Sequence, residues 1–181
     1  VGVGAFSAGI FHLFTHAFFK ALLFLAAGIV IHELAGREEM GVMGGLRRRL
    51  GLVYWCFLIG AAANAGFPLL SGFCSKDEII AAAFSSPNSS VLIGIVLVST
   101  SGLSGFYMFR ALFLTFHGEP SPEQASLIDP HGHGPSSAMT VPVLILTVFA
   151  ALAGFLYFFG FTQYLEPVFT RWGGHDVHPE G

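Results

Sequence analysis

The residues best suited to carry chemistry form a regular series near the start of the chain: His12, His16 and Lys20, each four positions from the next. In an α-helix a step of four residues turns about 40° beyond a full turn and climbs about 6 Å, so the three side chains project from one face. Histidine exchanges protons near neutral pH, and removal of a lysine from water brings its proton affinity down towards the same range. The series is therefore a candidate proton relay.

Two other roles are open for this series. The histidines could hydrogen-bond to neighbouring helices while Lys20 pairs with a carboxylate, or they could be haem or metal ligands, since imidazole is a common ligand. A single helix with a lysine next in line suits a haem poorly, and no second histidine pair occurs in another apolar run. No metal site is predicted elsewhere, because Cys56 and Cys74 match no zinc or disulfide spacing.

A second polar segment, G-F-P-L-L-S-G-F-C-S-K-D-E-I, interrupts a long apolar run. Pro68 lacks an amide hydrogen and clashes with the carbonyl group four residues earlier, while Gly66 and Gly72 loosen the chain on either side. The sequence therefore predicts that a helix breaks inside the membrane, between about Phe67 and Ser75. Such breaks are a recurrent way to build ion sites in membrane proteins.

Two charged residues, Lys76 and Asp77, follow this break directly. Ser75 and Glu78 have the spacing of a capping box, in which two side chains satisfy free amide groups at a helix start. A new helix is therefore expected to begin at Ser75, with Lys76 in its first turn. The alternative is a continuous helix through Cys74, with residues 75–78 in an aqueous loop.

Composition identifies the surroundings in which these residues must act. Of the 181 residues, 54% are hydrophobic and only 10% are charged, and the mean hydropathy is +0.71. Soluble domains carry about 25% charged residues, so this chain belongs in a lipid bilayer. Its net charge of -3 and its scattered basic residues exclude a nucleic-acid partner.

Four apolar runs are long enough to cross the bilayer, which takes about 20 mainly apolar residues per helix. They predict an all-α membrane protein with four transmembrane helices, the second of them broken. A closed barrel is excluded because the runs are too long and lack alternation of apolar and polar residues. The predicted spans are residues 5–34, 50–84, 91–116 and 139–164.

The distribution of basic residues predicts the orientation of these spans. Four of the eight lysine and arginine residues lie in the first linker, residues 35–49, and the second linker, residues 85–90, has none. Cytoplasmic loops are enriched in such residues, so the first linker is predicted to face the cytoplasm. By parity the third linker, residues 117–138, faces the same side.

Four stretches of the sequence resemble a known family of membrane proteins. They are H-L-F-T-H-A-F-F-K-A-L-L-F-L-A-A-G-I-V-I-H at 12–32, M-G-G-L at 43–46, the broken segment at 66–79 and F-Y-M-F-R-x-x-F-L-T-F-H-G at 106–118. In length, order and spacing they are similar to the antiporter-like subunits of NADH-quinone oxidoreductase, respiratory complex I, called chain L in bacteria and chain 5 in mitochondria. The resemblance extends over most of the chain and fades after about Gly160.

The resemblance implies a proton half-channel built from the second of two inverted five-helix repeats. The central hydrophilic axis of such a channel corresponds here to His12, His16 and Lys20, and its exit side to Lys76 and Asp77. Protons would pass from the two histidines through water to Lys20 and then to Lys76. No cofactor and no redox step are expected on this chain, since both belong to the assembled enzyme.

The partners implied are the other membrane-arm subunits of complex I and the lipid of a bacterial inner membrane. The translocation module would occupy residues 1–165, with a polar tail at 166–181, and the start at Val1 indicates a piece of a longer protein. The large subunit of multi-subunit Na+/H+ antiporters and membrane-bound hydrogenase subunits are also similar. A non-conducting membrane scaffold is the remaining alternative.

The other histidines have weaker claims to a role in transport. His32 keeps the spacing of four beside Glu33 at the cytoplasmic rim, where it is a candidate entry or exit group. The histidines of the third linker and the tail are expected to be solvated: His117, His131, His133, His175 and His178.

Overall fold

The regular secondary structure of the residues that the computed structural model describes, 2–86, 90–127 and 134–171, is helical. This part of the chain contains seven α-helices and two short 3-10 helices. The α-helices are α1 (Phe6–Glu33), α2 (Gly51–Ala65), α3 (Ser71–Ser85), α4 (Val91–Phe116), α5 (Pro122–Leu127), α6 (Ser137–Leu152) and α7 (Phe161–Arg171). The 3-10 helices are Leu46–Arg48, before α2, and Ala153–Tyr157, directly after α6. The prediction of an all-α membrane protein is confirmed.

The central helix of the bundle is α1. It packs against α2, α3, α6 and α7, whereas α4 packs against α2 and α3. Apolar side chains recur on α1 at the three- and four-residue spacing of one helix face, and that face is buried in the core. Its members include Phe19, Leu22, Ala26 and Ile29. The series of histidines and lysine runs along the edge of this buried face, so packing of the apolar residues fixes the direction of the polar ones.

Three helical stretches are long and apolar enough to cross a membrane by length and composition: α1, α4 and the run Ser137–Tyr157. The second predicted span, residues 50–84, is divided, because α2 and α3 contain 15 residues each and are separated by a short irregular segment. A helix of 15 residues is only about 22 Å long. The second span is therefore a broken one, as the sequence predicted.

The last span ends earlier than expected. The prediction carried it to residue 164, but the helix tightens into the 3-10 turn Ala153–Tyr157 and then stops. Gly160 has a left-handed backbone, with φ of 78°, which glycine adopts without steric cost and which ends a helix. The chain then re-enters a helix as α7, where Phe161 packs on the ring of Phe14 with centroids 5.4 Å apart. Because α7 runs to Arg171, it crosses the expected boundary between module and tail, and the rest of that tail lies outside the described residues.

The break between α2 and α3 has an identifiable cause. Gly66 takes a left-handed conformation with φ of 80°, and the N–H groups of Gly66 and Phe67 donate back to the carbonyls of Ala63 and Ala62. This pattern is a Schellman motif, which ends helices. Pro68 follows, and since it has no N–H it cannot continue the helix.

The new helix begins at Ser71 rather than at Ser75, so the predicted capping box is wrong. Leu70 is extended, with φ of -90° and ψ of 161°, and precedes the first turn. Ser75 therefore lies inside α3, and its hydroxyl is free to bond to another helix. Gly72, in the first turn of α3, allows this helix to pack against the end of α2, where an added Cβ would overlap the carbonyl oxygen of Ala63.

The first and third linkers lie together at one end of the bundle, as parity predicted. The Ser121 hydroxyl donates to the carbonyl of Val42 over 2.8 Å, and the Gln124 amide donates to the carbonyl of Gly44 over 2.8 Å. Arg37 pairs with Glu123 of α5 at 3.1 Å. Of the predicted loop histidines, His117 is described and exposed at this end, where its Nε2 lies 3.1 Å from the Tyr54 hydroxyl. His131, His133, His175 and His178 lie outside the described residues.

The close approach of α3 to α2 can be tested at Gly72 in a full-length subunit. Gly72→Ala should force the two half-helices apart, because the new methyl group meets backbone rather than a flexible side chain. We expect a loss of about 1–3 kcal/mol of stability, measured by thermal unfolding. The matched control is Gly102→Ala, where an added Cβ meets no atom within 4 Å. Equal stability of the two variants would contradict this packing of α3 against α2.

The arrangement of the linkers can be tested by cysteine labelling of intact cells and inverted vesicles. In a background where Cys56 and Cys74 are alanine, Glu38→Cys and Glu119→Cys should react from the same side, because their linkers are held together. Ser90→Cys, at the opposite end of α4, should react from the other side. We expect the first two to be cytoplasmic, and labelling of Glu38→Cys from the periplasm alone would reverse the orientation.

Candidate functional site

The three residues of the predicted relay lie along α1 as their spacing requires. The rings of His12 and His16 are 5.8 Å apart between centroids, and both contact Phe19, which is fully buried. His12, His16 and Lys20 are each partly buried. Successive members of the series are therefore about one helical turn apart along α1, a distance that one bridging water could span.

Lys20 has an aromatic neighbour instead of a carboxylate. Its Nζ lies 5.1 Å from the centre of the Phe24 ring, a distance that allows a cation–π interaction. It lines a cavity of about 160 Å³ together with Leu23, Phe57 and Met108. Within the described ranges, ion pairs join Arg37 to Glu123 and Arg49 to Glu33, and none includes Lys20. In this part of the chain, the carboxylate partner of the alternative interpretation is not found.

Lys76 is anchored by the helix break. Its ammonium group donates to the carbonyl oxygen of Asn64 in the last turn of α2 and to the Ser101 hydroxyl of α4 at 3.4 Å. In a continuing helix the Asn64 carbonyl would accept from the N–H of residue 68, but that residue is proline. The carbonyl therefore has no backbone donor, and it lies at the negative end of the α2 dipole, where a cation is favoured. Lys76 caps α2 and bridges it to α4.

His12 and Lys76 face the same cavity. It has a volume of about 220 Å³, and its polar wall also includes Thr100, Ser101 and Ser104 of α4. A cavity of this size with several hydroxyl groups can hold a small chain of water molecules. The geometry therefore connects Lys76 to the histidine end of the series on α1, whereas Lys20 lines the separate cavity beside Phe24.

A buried set of hydroxyl groups holds His12 from the other side. The His12 Nδ1 lies 3.0 Å from the Ser75 Oγ, and the Thr15 hydroxyl lies 3.0 Å from the same oxygen. Thr15 and Ser75 are both fully buried. The contact ties α1 to α3 one residue before Lys76, so the two halves of the site are positioned relative to each other.

Two predicted residues are not brought into this arrangement. Asp77 is exposed, and successive helical residues project about 100° apart, so its carboxylate does not face the side of α3 on which Lys76 lies. His32 is exposed at the end of α1, about 18 Å along the axis from Lys20. Their roles in proton exit and entry stay predictions.

Several residues of the site were not singled out by sequence reasoning. Asn64 and Ser101 contact Lys76, and Thr100 and Ser104 line its cavity. A signal was present, because Asn64 is a polar residue in an apolar run and the hydroxyl residues of α4 are clustered within one turn and a half. Of the residues predicted to form the break, Gly66 and Pro68 lie between α2 and α3, whereas Gly72 lies inside the first turn of α3.

Comparison with known proteins adds independent findings. A family described as NADH:quinone oxidoreductase/Mrp antiporter, TM matches residues 1–119. Chain 5 of NAD(P)H-quinone oxidoreductase from Synechocystis is 47% identical over 126 residues, which are 65% of this chain and 18% of that protein. Subunit L of NADH-quinone oxidoreductase from Pseudomonas aeruginosa is 47% identical over 148 residues, 81% of this chain and 23% of that protein. Subunit L of F(420)H(2) dehydrogenase from Methanosarcina mazei is 39% identical over 179 residues, 94% of this chain and 26% of that protein.

The matches cover only part of each relative, but the family match includes the whole of the candidate site. The chain spans about a fifth to a quarter of the length of the relatives it matches. The region that matches the family includes the whole series on α1, both halves of the broken span and α4. The residues of the candidate site therefore all lie within the region that matches the family.

The capping role of Lys76 can be separated from proton transfer by two substitutions in a full-length subunit within its complex. Lys76→Met leaves the Asn64 carbonyl without a donor in an apolar environment, so stability should fall by about 1.5–3 kcal/mol. Lys76→Arg keeps a donor and should retain stability, but an arginine does not release its proton and translocation should fail. Thermal melting of the complex and proton uptake by vesicles are the two measurements. Wild-type stability of the methionine variant would show that Lys76 does not cap α2.

Proposed function

Because this chain belongs to the family of NADH:quinone oxidoreductase and Mrp antiporter transmembrane proteins, we propose that it forms part of a proton-translocating subunit in the membrane arm of an NADH-quinone oxidoreductase. The other membrane-arm subunits and the surrounding lipid are its partners. Electron transfer takes place elsewhere in the assembly, and this chain contributes no redox step and holds no cofactor. The similarity to a bacterial subunit L supports the inner membrane of a bacterium as its location.

One observation carries this proposal: a titratable residue of α1, His12, and a lysine held in the break of the second span, Lys76, line one cavity of about 220 Å³. A proton can move between two such groups through water if both alternate between protonated and neutral forms. A scaffold has no need of an ammonium group at a helix break within the membrane, where a charged side chain costs about 2.5–3.5 kcal/mol on insertion scales.

The geometry favours an order of transfer different from the one expected from the sequence. Lys20 exchanges protons with His16, His16 with His12, and His12 with Lys76 through the water of the shared cavity. Each step is then between neighbours on α1 or across one cavity, and no direct transfer from Lys20 to Lys76 is needed. Asp77, on the exposed side of α3, and His32, at the end of α1, serve exchange with the outside of the module.

The break in the second span supplies the electrostatic control of this path. A helix end at mid-depth presents a free carbonyl group, and its negative field favours the protonated form of Lys76. A change in position of α3 relative to α2 would remove the ammonium from the Asn64 carbonyl and favour release of its proton. Movement driven by the redox part of the enzyme would in this way control when Lys76 gives up its proton.

The choice of electron donor lies outside this module. A subunit L of an F(420)H(2) dehydrogenase is 39% identical to this chain over 179 residues, although its name gives another donor. This similarity supports a translocation unit that is used with different redox partners. The chain accordingly needs no residue that recognises NADH or a quinone.

Substitution of Lys20 in a full-length subunit within its complex tests this function. Lys20→Ala removes the titrating amine and should lower NADH-driven proton translocation strongly. Lys20→Arg keeps a positive charge that is not released near neutral pH and should impair translocation as well. The measurement is the number of protons moved per electron in vesicles, with assembly checked on a native gel.

The arginine variant decides between carrier and structural cation. A lysine that only stabilises its surroundings would be replaced well by arginine, which makes cation–π and ionic contacts at least as readily. Translocation at the wild-type level by an assembled Lys20→Arg complex would therefore overturn the carrier role. Arg110→Lys, at an exposed position of α4, is the matched control and should leave translocation unchanged.

A further inference from the structure

We infer that Ser75, supported by Thr15, is a positioning residue for His12: its hydroxyl oxygen accepts a hydrogen bond from Nδ1 and leaves Nε2 as the nitrogen that exchanges protons with the cavity shared with Lys76. This inference rests on the proposed function and names a residue that acts through His12. Ser75 itself neither carries nor releases the translocated proton.

The two ring nitrogens of His12 face different surroundings. Nδ1 is turned to the Ser75 Oγ at 3.0 Å, and Ser75 is fully buried and is not part of the cavity wall. His12 does line the cavity with Lys76. The nitrogen left for the cavity is therefore Nε2.

The hydrogen-bond partners of Ser75 indicate that Nδ1 carries a proton. Ser75 has one hydroxyl proton, and the carbonyls of Ser71 and Gly72 in its own helix are each 3.4 Å away as acceptors. Donation to carbonyls three and four residues earlier is the usual bond of a serine inside a helix. The lone pairs of the Ser75 oxygen are then available for the Thr15 hydroxyl, at 3.0 Å, and for an N–H on Nδ1. In this arrangement the Ser75, Thr15 and Nδ1 groups all have partners.

An unprotonated Nε2 also complements the cavity that His12 shares with Lys76. The Lys76 ammonium group is a donor without acceptor capacity. A lone pair on Nε2 can accept a proton from it through water, whereas an N–H on Nε2 would oppose one donor with another. With Nδ1 protonated in both charge states, His12 gains and loses its transferred proton at Nε2 and the ring does not have to turn.

Thr15 supports this arrangement from the same helix as His12. Its hydroxyl lies 3.0 Å from the Ser75 oxygen and 3.1 Å from the carbonyl of His12. A valine at this position would keep the shape of the side chain and remove the hydrogen bond. The two hydroxyl groups thus form a buried pair between α1 and α3, and each can be removed with little change in volume.

The experiment uses the full-length subunit assembled in its complex, with four substitutions. Ser75→Ala and Thr15→Val remove the hydroxyl groups, while Ser75→Thr and Thr15→Ser retain them. We expect the first pair to lower NADH-driven proton translocation by about tenfold for Ser75 and severalfold for Thr15, the range for loss of a buried hydrogen bond. At least one hydroxyl-retaining variant should restore most of the rate. The control is Ser99→Ala, because that hydroxyl donates to the Ile95 carbonyl of its own exposed helix face.

A spectroscopic measurement checks the tautomer directly. Solid-state 15N NMR of the complex with labelled histidine, with His12 assigned by its loss in His12→Gln, should give a neutral ring protonated at Nδ1. Ser75→Ala should shift this signal towards the tautomer protonated at Nε2. A native His12 protonated at Nε2, or a signal that Ser75→Ala does not change, would overturn the inference.

The two proposals fail in different ways. Wild-type translocation by the Lys20 and Lys76 variants would overturn the proposed function together with this inference. Loss of translocation in the lysine variants, combined with full activity of Ser75→Ala, would overturn the role of Ser75 alone.

Discussion

The Asn64 carbonyl at the end of α2, which has no backbone donor, organises this part of the molecule. In a bilayer each backbone polar group needs a partner inside the protein, because lipid offers none. Pro68 has no N–H to give to the Asn64 carbonyl, and the ammonium group of Lys76 takes the place of that missing donor. The break depends on Lys76 as the donor to this carbonyl, and Lys76 depends on the break for its acceptor. Backbone chemistry at the break therefore fixes the position of the Lys76 ammonium group.

The surroundings of the α1 residues differ from those of the charged groups at the end of the bundle where the first and third linkers meet. His12 has hydroxyl groups at Ser75 and Thr15 as neighbours, and Lys20 has the ring of Phe24. In the described ranges, the paired carboxylates belong to the rim, in Arg37 with Glu123 and Arg49 with Glu33. A carboxylate in contact holds a base in its charged form, whereas hydroxyl and aromatic groups stabilise a cation only moderately. Neutral partners thus allow the protonation state of a group to change at modest cost.

The close contacts between helices also position the residues of the site. Gly72 allows α3 to reach the last turn of α2, and Phe19 lies between this contact and both histidines. The distance from His12 to Ser75, and the size of the cavity next to Lys76, both depend on that approach. The outer face of α4 remains largely exposed and apolar, as expected for a helix that faces lipid or the remainder of a longer subunit.

The sequence by itself determined the class of the protein, the spans and the main titratable residues. The thickness of the bilayer sets the length of the apolar runs, helix geometry places His12, His16 and Lys20 on one face, and Pro68 lacks the N–H group that a continuing helix would need at its position. These are local properties, and local chemistry fixes them. The start of α3 and the end of the last span differ from the prediction. A side chain that could cap a helix does not do so when it is already in contact with a neighbouring helix.

Only the tertiary structure decided which of these groups meet. Nothing in the spacing indicates that Lys76 bonds to the Asn64 carbonyl, that Ser75 contacts His12 across 63 positions, or that His12 rather than Lys20 shares a cavity with Lys76. Such contacts depend on the angle and depth at which α3 returns beside α2 and α1. That angle is set by the packing of Gly72 and Phe19, a property of several helices together that no single segment contains.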